Sequence, residues 1–297
     1  MKVLERIQIN LKPVKKDATF GVLIFSSPFS KNSYNGKLLG LTLSEWVGMA
    51  CQDMDTRLVE YNGKDNVLQV ASSYVNKSLD YTIILLSRTP LITGNTINQI
   101  KEFCIYKDIN ICKLPVGYVI KNSSLNDIAN TQIDSVYSQN IDDFYIVENK
   151  KQMDYALGVL HDRINSFHIS NGVEIIKPSS TYIEPQVDIA KGTIIYAGNI
   201  LKGNTFISEN VILKENNVID NSVIGKDCCI SGSVITNCKI TSGVFISAFC
   251  ELIDCRIEEN SIIGGGSHIT NTKIKSREKI PANSVIGENN DSDSRTW

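Results

Sequence analysis

Between residues 178 and 287 the aliphatic positions keep an interval that belongs neither to a helix nor to an ordinary strand. Ile183, Ile189, Ile195, Leu201, Ile207, Leu213 and Ile219 follow one another in steps of six. A helix would repeat at 3.6 residues and a half-buried strand at 2. Further on the repeat tightens to 17 residues. Val223, Ile240, Ile257 and Ile274 form one register; Cys229, Ile246, Ile263 and Ile280 form a second; Ile235, Leu252, Ile269 and Ile286 form a third. A polar register of Asp220, Asn237, Asp254 and Asn271 accompanies them. Steps of six, six and five close one triangular coil, three short strands joined by corners where Asn and Asp tolerate left-handed backbone angles. Coils stack at about 4.8 Å, inward aliphatics make a continuous column, and about six coils of this hexapeptide β-helix are expected over residues 173–287. Between Leu201 and Ile219 the 18- and 17-residue framings differ by one residue, so the register there is open.

Upstream the periods are ordinary. Residues 149–172 predict a linker helix, with Met153, Ala156, Leu157, Leu160, Ile164 and Phe167 on one packing face. Residues 1–148 alternate strands and helices. Phe20–Phe25, Val67–Ala71, Thr82–Leu86, Ile109–Lys113 and Tyr118–Lys121 predict strands. Thr42–Asp53, opened by a Thr42/Glu45 capping box, and Thr93–Lys107 predict helices. The pattern is α/β with a mostly parallel, Rossmann-like sheet. Ligands of such sheets bind beyond the carboxyl ends of strands, here after Phe25 and after Leu86.

Composition removes function classes. The 30 Lys and Arg against 32 Asp and Glu leave a net charge of −2, which excludes a strongly basic nucleic-acid binder and a polybasic membrane patch. No apolar run is long enough to span a bilayer, and Met1–Asp17 lacks an apolar signal core, so a cytoplasmic protein is expected. The 8 cysteines contain no C-x-x-C pair and are expected to be reduced and mostly buried. Cys238 and Cys255 should stack on adjacent coils, and of Cys228 and Cys229 one should point in and one out. Three histidines, His161, His168 and His268, suit packing or surface roles better than a multi-histidine metal site.

The segment Ser26–Lys37 holds a single glycine, Gly36, where a phosphate cradle needs several. The segment after Leu86, TPLITGNTINQI, resembles the stretch behind a central strand in the bifunctional N-acetylglucosamine-1-phosphate uridyltransferase/glucosamine-1-phosphate acetyltransferase family. Gly36–Val47 (GKLLGLTLSEWV) is similar to that family's lysine loop and first helix, and Val116–Asn122 (VGYVIKN) to its uracil- and sugar-side strand. Arg163–Gly203 resembles the linker end and first coils nearly without gaps. The resemblance implies a nucleotidyltransferase domain, a helical arm, and a left-handed parallel β-helix that forms a homotrimer. It also implies two reactions. In one, a sugar 1-phosphate attacks the α-phosphate of UTP with Mg²⁺ neutralising charge. In the other, a solenoid histidine deprotonates an amine that attacks acetyl-CoA.

The departures shape the expectation. The family's glycine-rich loop is replaced by Ser26–Gly36, although Lys37 still matches the lysine downstream. The metal-binding aspartate is Arg88 here, and the second metal ligand aligns to Glu148. Gly117 and Tyr118 match the base-side strand, and Asn130-Thr131-Gln132 resembles an Asn-Thr-Gly stretch. Glu251 stands where the family has an arginine, and His268 is expected on the coil surface; a lone histidine also excludes the three-histidine zinc site of carbonic anhydrases built on this solenoid. The chain ends before the family's catalytic histidine would come, so acetyl transfer is not expected. Residues 288–297 are expected to be a disordered tail. Two readings stand. One is a non-catalytic or weakly active trimer that binds a nucleotide or nucleotide-sugar through Lys37, Arg88, Gly117 and Tyr118. The other is an active uridyltransferase in which Lys37 is catalytic and Glu148 holds Mg²⁺.

Overall fold

The computed structural model describes residues 18–26, 37–61, 65–127 and 132–287. The expected tail, Met1–Asp17, most of Ser26–Gly36 and Asn130-Thr131 lie outside the described residues. The chain divides into two compact units, Met1–Ala156 and Leu157–Trp297.

The first unit is built on a six-stranded sheet with strands β1 (Phe20–Ser26), β2 (Asp55–Glu60), β3 (Tyr81–Leu86), β4 (Ile111–Lys113), β5 (Tyr118–Lys121) and β6 (Ser135–Val136) in the order β2-β1-β3-β5-β4-β6. All run parallel except β5, which is antiparallel to both its neighbours. Continuously apolar β1 and β3 lie in the middle because both of their faces are covered. Val22, Ile24, Ile83 and Leu85 pack with Val47 of α1 (Leu43–Ala50) and with Ile97 and Ile100 of α3 (Gly94–Lys107). Leu23, Phe25 and Ile84 form a second cluster with Ala71 of α2 (Val67–Ser72). The capping box forms as expected: Glu45 N–H donates to Thr42 Oγ1, and Thr42 N–H donates to the Glu45 carboxylate at 2.7 Å.

One strand assignment is corrected. Val67–Ala71 is helical, because the Asn66 side chain accepts from Leu68 N–H at 2.9 Å and opens a turn. The strand of that region is β2, five of whose six residues are exposed with only Val59 buried. As a polar edge it carries no alternation to detect.

The tight connection from β4 to β5 depends on Gly117. Its φ is +108°, and a Cβ there would sit 2.0 Å from the Ile84 carbonyl oxygen. Only glycine lets this turn close over β3.

Helix α4 (Lys150–Ser170) begins in the first unit and ends in the second. Met153, Ala156 and Leu160 are buried as expected, but Leu157 and Phe167 are exposed. Asn165 and His168 are buried in their place. Asn165 Nδ2 donates to Pro178 O at 3.0 Å, and His161 Nε2 meets Thr181 O at 2.8 Å. The helix end therefore docks on the first coil through hydrogen bonds that apolar periodicity does not reveal.

The second unit is a left-handed parallel β-helix. Its three sheets hold seven, seven and six strands, giving six complete coils and two strands of a seventh. Face I runs from Glu174–Ile175 to Lys279–Ile280, face II from Tyr182–Ile183 to Val285–Ile286, and face III from Asp188–Ile189 to Lys273–Ile274. The inward column is aliphatic throughout, with Ile195, Leu201, Ile207, Leu213, Ile219, Ile230, Ile246 and Ile263 fully excluded from solvent. From Gly192 onward each corner carries a residue at positive φ, most often Asn, Asp or Gly. Small polar side chains line the insides of the corners and accept from the next coil: Cys238 N–H donates to Ser222 Oγ at 2.9 Å, Ser233 N–H to Asn217 Oδ1 at 3.0 Å and Cys250 N–H to Ser233 Oγ at 3.1 Å.

The register from Leu201 to Ile286 is now fixed. Ile183, Leu201 and Ile219 are 18 residues apart, and Ile235, Leu252, Ile269 and Ile286 are 17 apart. Between them, Ile219 pairs with Ile235, a coil of only 16. The missing residue lies in the corner Ile230–Ile235, where Gly232 at φ +42° makes the shortened turn. Three expectations therefore shift by one. Ile224 and not Val223 points inward, Ile230 and not Cys229 points inward, and Asn221 and not Asp220 holds the left-handed corner. The cysteines fit: Cys228 is buried, Cys229 is half-buried, and all eight are free thiols.

Two predictions follow from this packing. Gly117→Ala should destabilise the first unit by about 2–4 kcal/mol, since it adds both a clash and an unfavourable φ; urea titration followed at Trp46 measures it. Burial holds the His168 imidazole below its ordinary range, against a smaller opposing pull from Asp188. The neutral ring is the native form, so this contribution is complete above about pH 6.5 and is lost as the pH falls below it. Thermal melts from pH 8 to 5 should fall more steeply for the wild type than for His168→Phe.

Candidate functional site

The carboxyl edge of the first unit's sheet is where the sequence pattern predicts a ligand, after Phe25 and after Leu86. Ser87 N–H continues the ladder by donating to Phe25 O at 2.9 Å. The chain then turns, with Thr89 Oγ1 donating to Leu86 O at 2.8 Å. From Ser87 to Ile92 every residue is buried except Arg88, which the turn directs outward. Val147 N–H donates to Arg88 O at 2.8 Å and so brings Glu148 alongside. Glu148 is also fixed from the other side, its N–H donating to Gln152 Oε1 at 2.8 Å. The result is an ion pair, Arg88 Nη1 to Glu148 Oε1 at 3.2 Å, with the side chains 27% and 56% exposed.

Gly117 and Tyr118 reach the same edge because β5 is antiparallel to β3, with Tyr118 beside Ile84. Lys113 joins them: its Nζ donates to Tyr118 Oη at 2.9 Å and lies 4.1 Å from the ring centroid. A single lysine at a strand end carried no signal in the sequence. Lys37 is exposed and sits on another segment, just before the Leu38–Leu41 bridge. The Thr42 backbone N–H, chiefly, holds the Glu45 carboxyl below its usual range, and the Lys37 charge adds to this. The structure thus unites Arg88 with Glu148, and Gly117 with Tyr118 and Lys113. Among the described residues no group of three or more His, Cys, Asp or Glu is placed to hold a metal ion.

A second cluster lies on face II of the solenoid. His268 Nδ1 is 2.9 Å from Glu251 Oε2 across adjacent coils. His268 is on the coil surface as expected, but it is not isolated. A carboxylate that engages Nδ1 orients the ring and leaves Nε2 to exchange a proton. The two residues are 17 apart in sequence, so only the coil period could have connected them.

Residues 206–297 match the family model described as GlmU-like, C-terminal hexapeptide. That last third of the chain is similar to the C-terminal hexapeptide part of GlmU. The bifunctional protein GlmU of Clostridium beijerinckii is 35% identical over 143 residues, 48% of this chain and 31% of that protein. GlmU of Clostridium perfringens is 38% identical over 143 residues, again 48% of this chain and 32% of the relative. The match therefore spans about a third of the length of these GlmU proteins. A crystal structure of a perosamine N-acetyltransferase mutant from Caulobacter crescentus, in complex with CoA and GDP-perosamine, is 11% identical, covers 90% of this chain and 93% of its own, and superposes with a TM-score of 0.35. No helix among the described residues is long and apolar enough to cross a membrane.

If Arg88 is held only by Glu148, the pair is worth about 0–1 kcal/mol. Glu148→Gln should accordingly change the stability of the first unit by less than about 1 kcal/mol, as read from denaturant midpoints.

Proposed function

We propose that this chain is a cytoplasmic GlmU-like protein whose first unit is nucleotidyltransferase-like and binds a nucleotide or nucleotide-sugar without a divalent cation. The observation that carries the reading is the Arg88–Glu148 pair. The two positions that the resemblance assigns to Mg²⁺ hold a guanidinium and its carboxylate partner. A guanidinium cannot ligate a cation, and Glu148 already has a positive partner, so this donor set does not fit Mg²⁺. The guanidinium does fit phosphate, which it can engage through two parallel N–H donors. A phosphate oxygen pair competes well against one half-exposed carboxylate, because such a surface pair is weak. Lys113, Gly117 and Tyr118 lie at the same edge of the sheet, and Lys37, on a separate segment, is a further positive charge of the unit.

The rival reading, uridyl transfer with Lys37 catalytic and Mg²⁺ on Glu148, is separated by two measurements. With UTP, N-acetylglucosamine 1-phosphate and Mg²⁺, we expect no pyrophosphate release above background; turnover that disappears in Lys37→Ala would establish the transferase. Calorimetry with UTP in EDTA should give binding in the wild type and a loss of about tenfold in Arg88→Ala. Absence of heat and of any thermal shift would remove the metal-free reading.

A second reading rests on His268 and Glu251. A carboxylate-oriented imidazole on a hexapeptide solenoid suits a general base for acyl transfer to an amine. Thiol release from acetyl-CoA in the presence of amino sugars, abolished in His268→Ala, would support it.

Self-association into a trimer belongs to the same proposal. Ile212, the half-buried Cys229, Phe245 and Ile262 form an outward column on face I, and Phe249, at φ +63°, is 85% exposed at the adjoining corner. Phe249→Asn suits the left-handed corner better, so the variant should fold. By light scattering it should dissociate at about tenfold higher concentration than the wild type; a monomeric wild type would remove the trimer.

A further inference from the structure

Face III changes character along the solenoid. Its outward residues begin as Asp188, Phe206 and Val223 and continue as Lys239, Arg256 and Lys273. The last three are in strict register on successive coils, so their side chains leave the sheet at intervals of about 4.8 Å. Together with the corner row Asn237, Asp254 and Asn271 they line an open groove of about 570 Å³. Like charges directly opposed on neighbouring strands destabilise a sheet, so three aligned cations need counter-charge.

The chain supplies little. A single oxygen, Glu258 Oε1, serves both Arg256 Nε at 2.7 Å and Lys273 Nζ at 3.2 Å. The two cations hold the Glu258 carboxyl below its usual range. Lys239 has no ion-pair partner among the described residues. Asp254 is hydrogen-bonded by Asn237 Nδ2 at 3.1 Å and so is turned along its own corner row.

We propose that this groove binds a linear oligophosphate, with successive phosphates spanning the Lys239, Arg256 and Lys273 rungs. The spacing selects the ligand. One orthophosphate reaches a single rung, or two at a stretch, whereas a chain of three phosphates covers all three rungs and presents several oxygens to each. The Asn271 side chain in the corner row supplies a neutral donor. Arg256 gives up half of a shared carboxylate rather than a partner of its own.

The experiment is isothermal titration with inorganic tripolyphosphate, run in parallel with orthophosphate and with UTP, all in EDTA. Tripolyphosphate should bind at least about tenfold tighter than orthophosphate, and the affinity should fall steeply from 50 to 300 mM salt. The Lys239→Gln/Arg256→Gln double variant should lose this binding by about tenfold or more. Glu258→Gln should strengthen it, because the competing carboxylate is gone; a role confined to sheet stability would not produce a gain. The component of tripolyphosphate binding that the Lys239→Gln/Arg256→Gln variant removes should persist in Arg88→Ala, which separates this groove from the carboxyl edge of the first unit. UTP binding tighter than tripolyphosphate and sensitive to Lys239→Gln would identify the phosphate chain as part of a nucleotide. Equal affinity for orthophosphate and tripolyphosphate, or binding that survives the double variant, would overturn the proposal.

Discussion

The solenoid depends on one constraint: each coil must return its chain to the same inward position one strand spacing higher. An inward isoleucine has its neighbour directly above and below, so a slip of one residue would turn an aliphatic side chain into water and a polar one into the column. Removing a buried Ile or Leu from such a column costs about 2–5 kcal/mol, far more than any corner hydrogen bond contributes. The corners must therefore absorb every irregularity in length, and they do. Coils of 18, 16 and 17 residues share one uninterrupted core because the residues between strands vary while the strand pairs do not. The left-handed positions at the corners permit this, and the corner at Gly232 is one residue shorter than its equivalents between faces I and II on the neighbouring coils.

The same constraint explains what could and could not be read from the chain. The inward aliphatics from Ile183 to Ile219 and from Ile235 to Ile286 are periodic enough to be placed by residue number, and they are where the sequence puts them. The error is local: Val223, Cys229 and Asp220 were each assigned one residue early, since a single repeat of 17 was extended backwards across the 16-residue coil. A deletion inside a corner leaves no mark on the period to either side of it. In the first unit, Phe20–Ser26 and Tyr81–Leu86 were legible because both faces of each strand are buried. Asp55–Glu60 was not, because an edge strand with one buried side chain resembles a loop. Val67–Ser72 shows the opposite failure, an apolar run whose Asn66 cap outweighed its β-branched content.

The candidate sites were legible in proportion to how local they are. Arg88 and Glu148 were both identified from the sequence, but their contact was not, since 60 residues separate them and only the Val147–Arg88 backbone hydrogen bond brings them together. Gly117 was singled out beside Tyr118 as a ligand-side residue, and its nearest demand is structural: the Ile84 carbonyl leaves no room for a Cβ. Such a glycine serves a site by letting the turn close at the sheet's edge, whatever it touches afterwards. Lys113 carried no signal because its partner Tyr118 is supplied only by strand pairing, whereas Glu251 and His268 are one 17-residue period apart and the coil repeat alone could have joined them.

The two cationic features differ in how a ligand would meet them. Arg88 is one guanidinium, a fixed charge with a fixed geometry, tied to a carboxylate that is more than half exposed. A metal ion at that place would bring open coordination positions and a double charge; a guanidinium brings donors only, and can orient a phosphate without activating it. On face III the charge is distributed, and the solenoid itself sets the interval between cations. There selectivity follows from length, since each added phosphate reaches one more rung and meets less competition, with a single Glu258 carboxylate set against two cations. Screening shortens the reach of exposed charges to about 8 Å at physiological ionic strength, which is less than two coils. A ligand must therefore lie along the rungs to gain from all three, and a compact anion of equal charge gains from fewer.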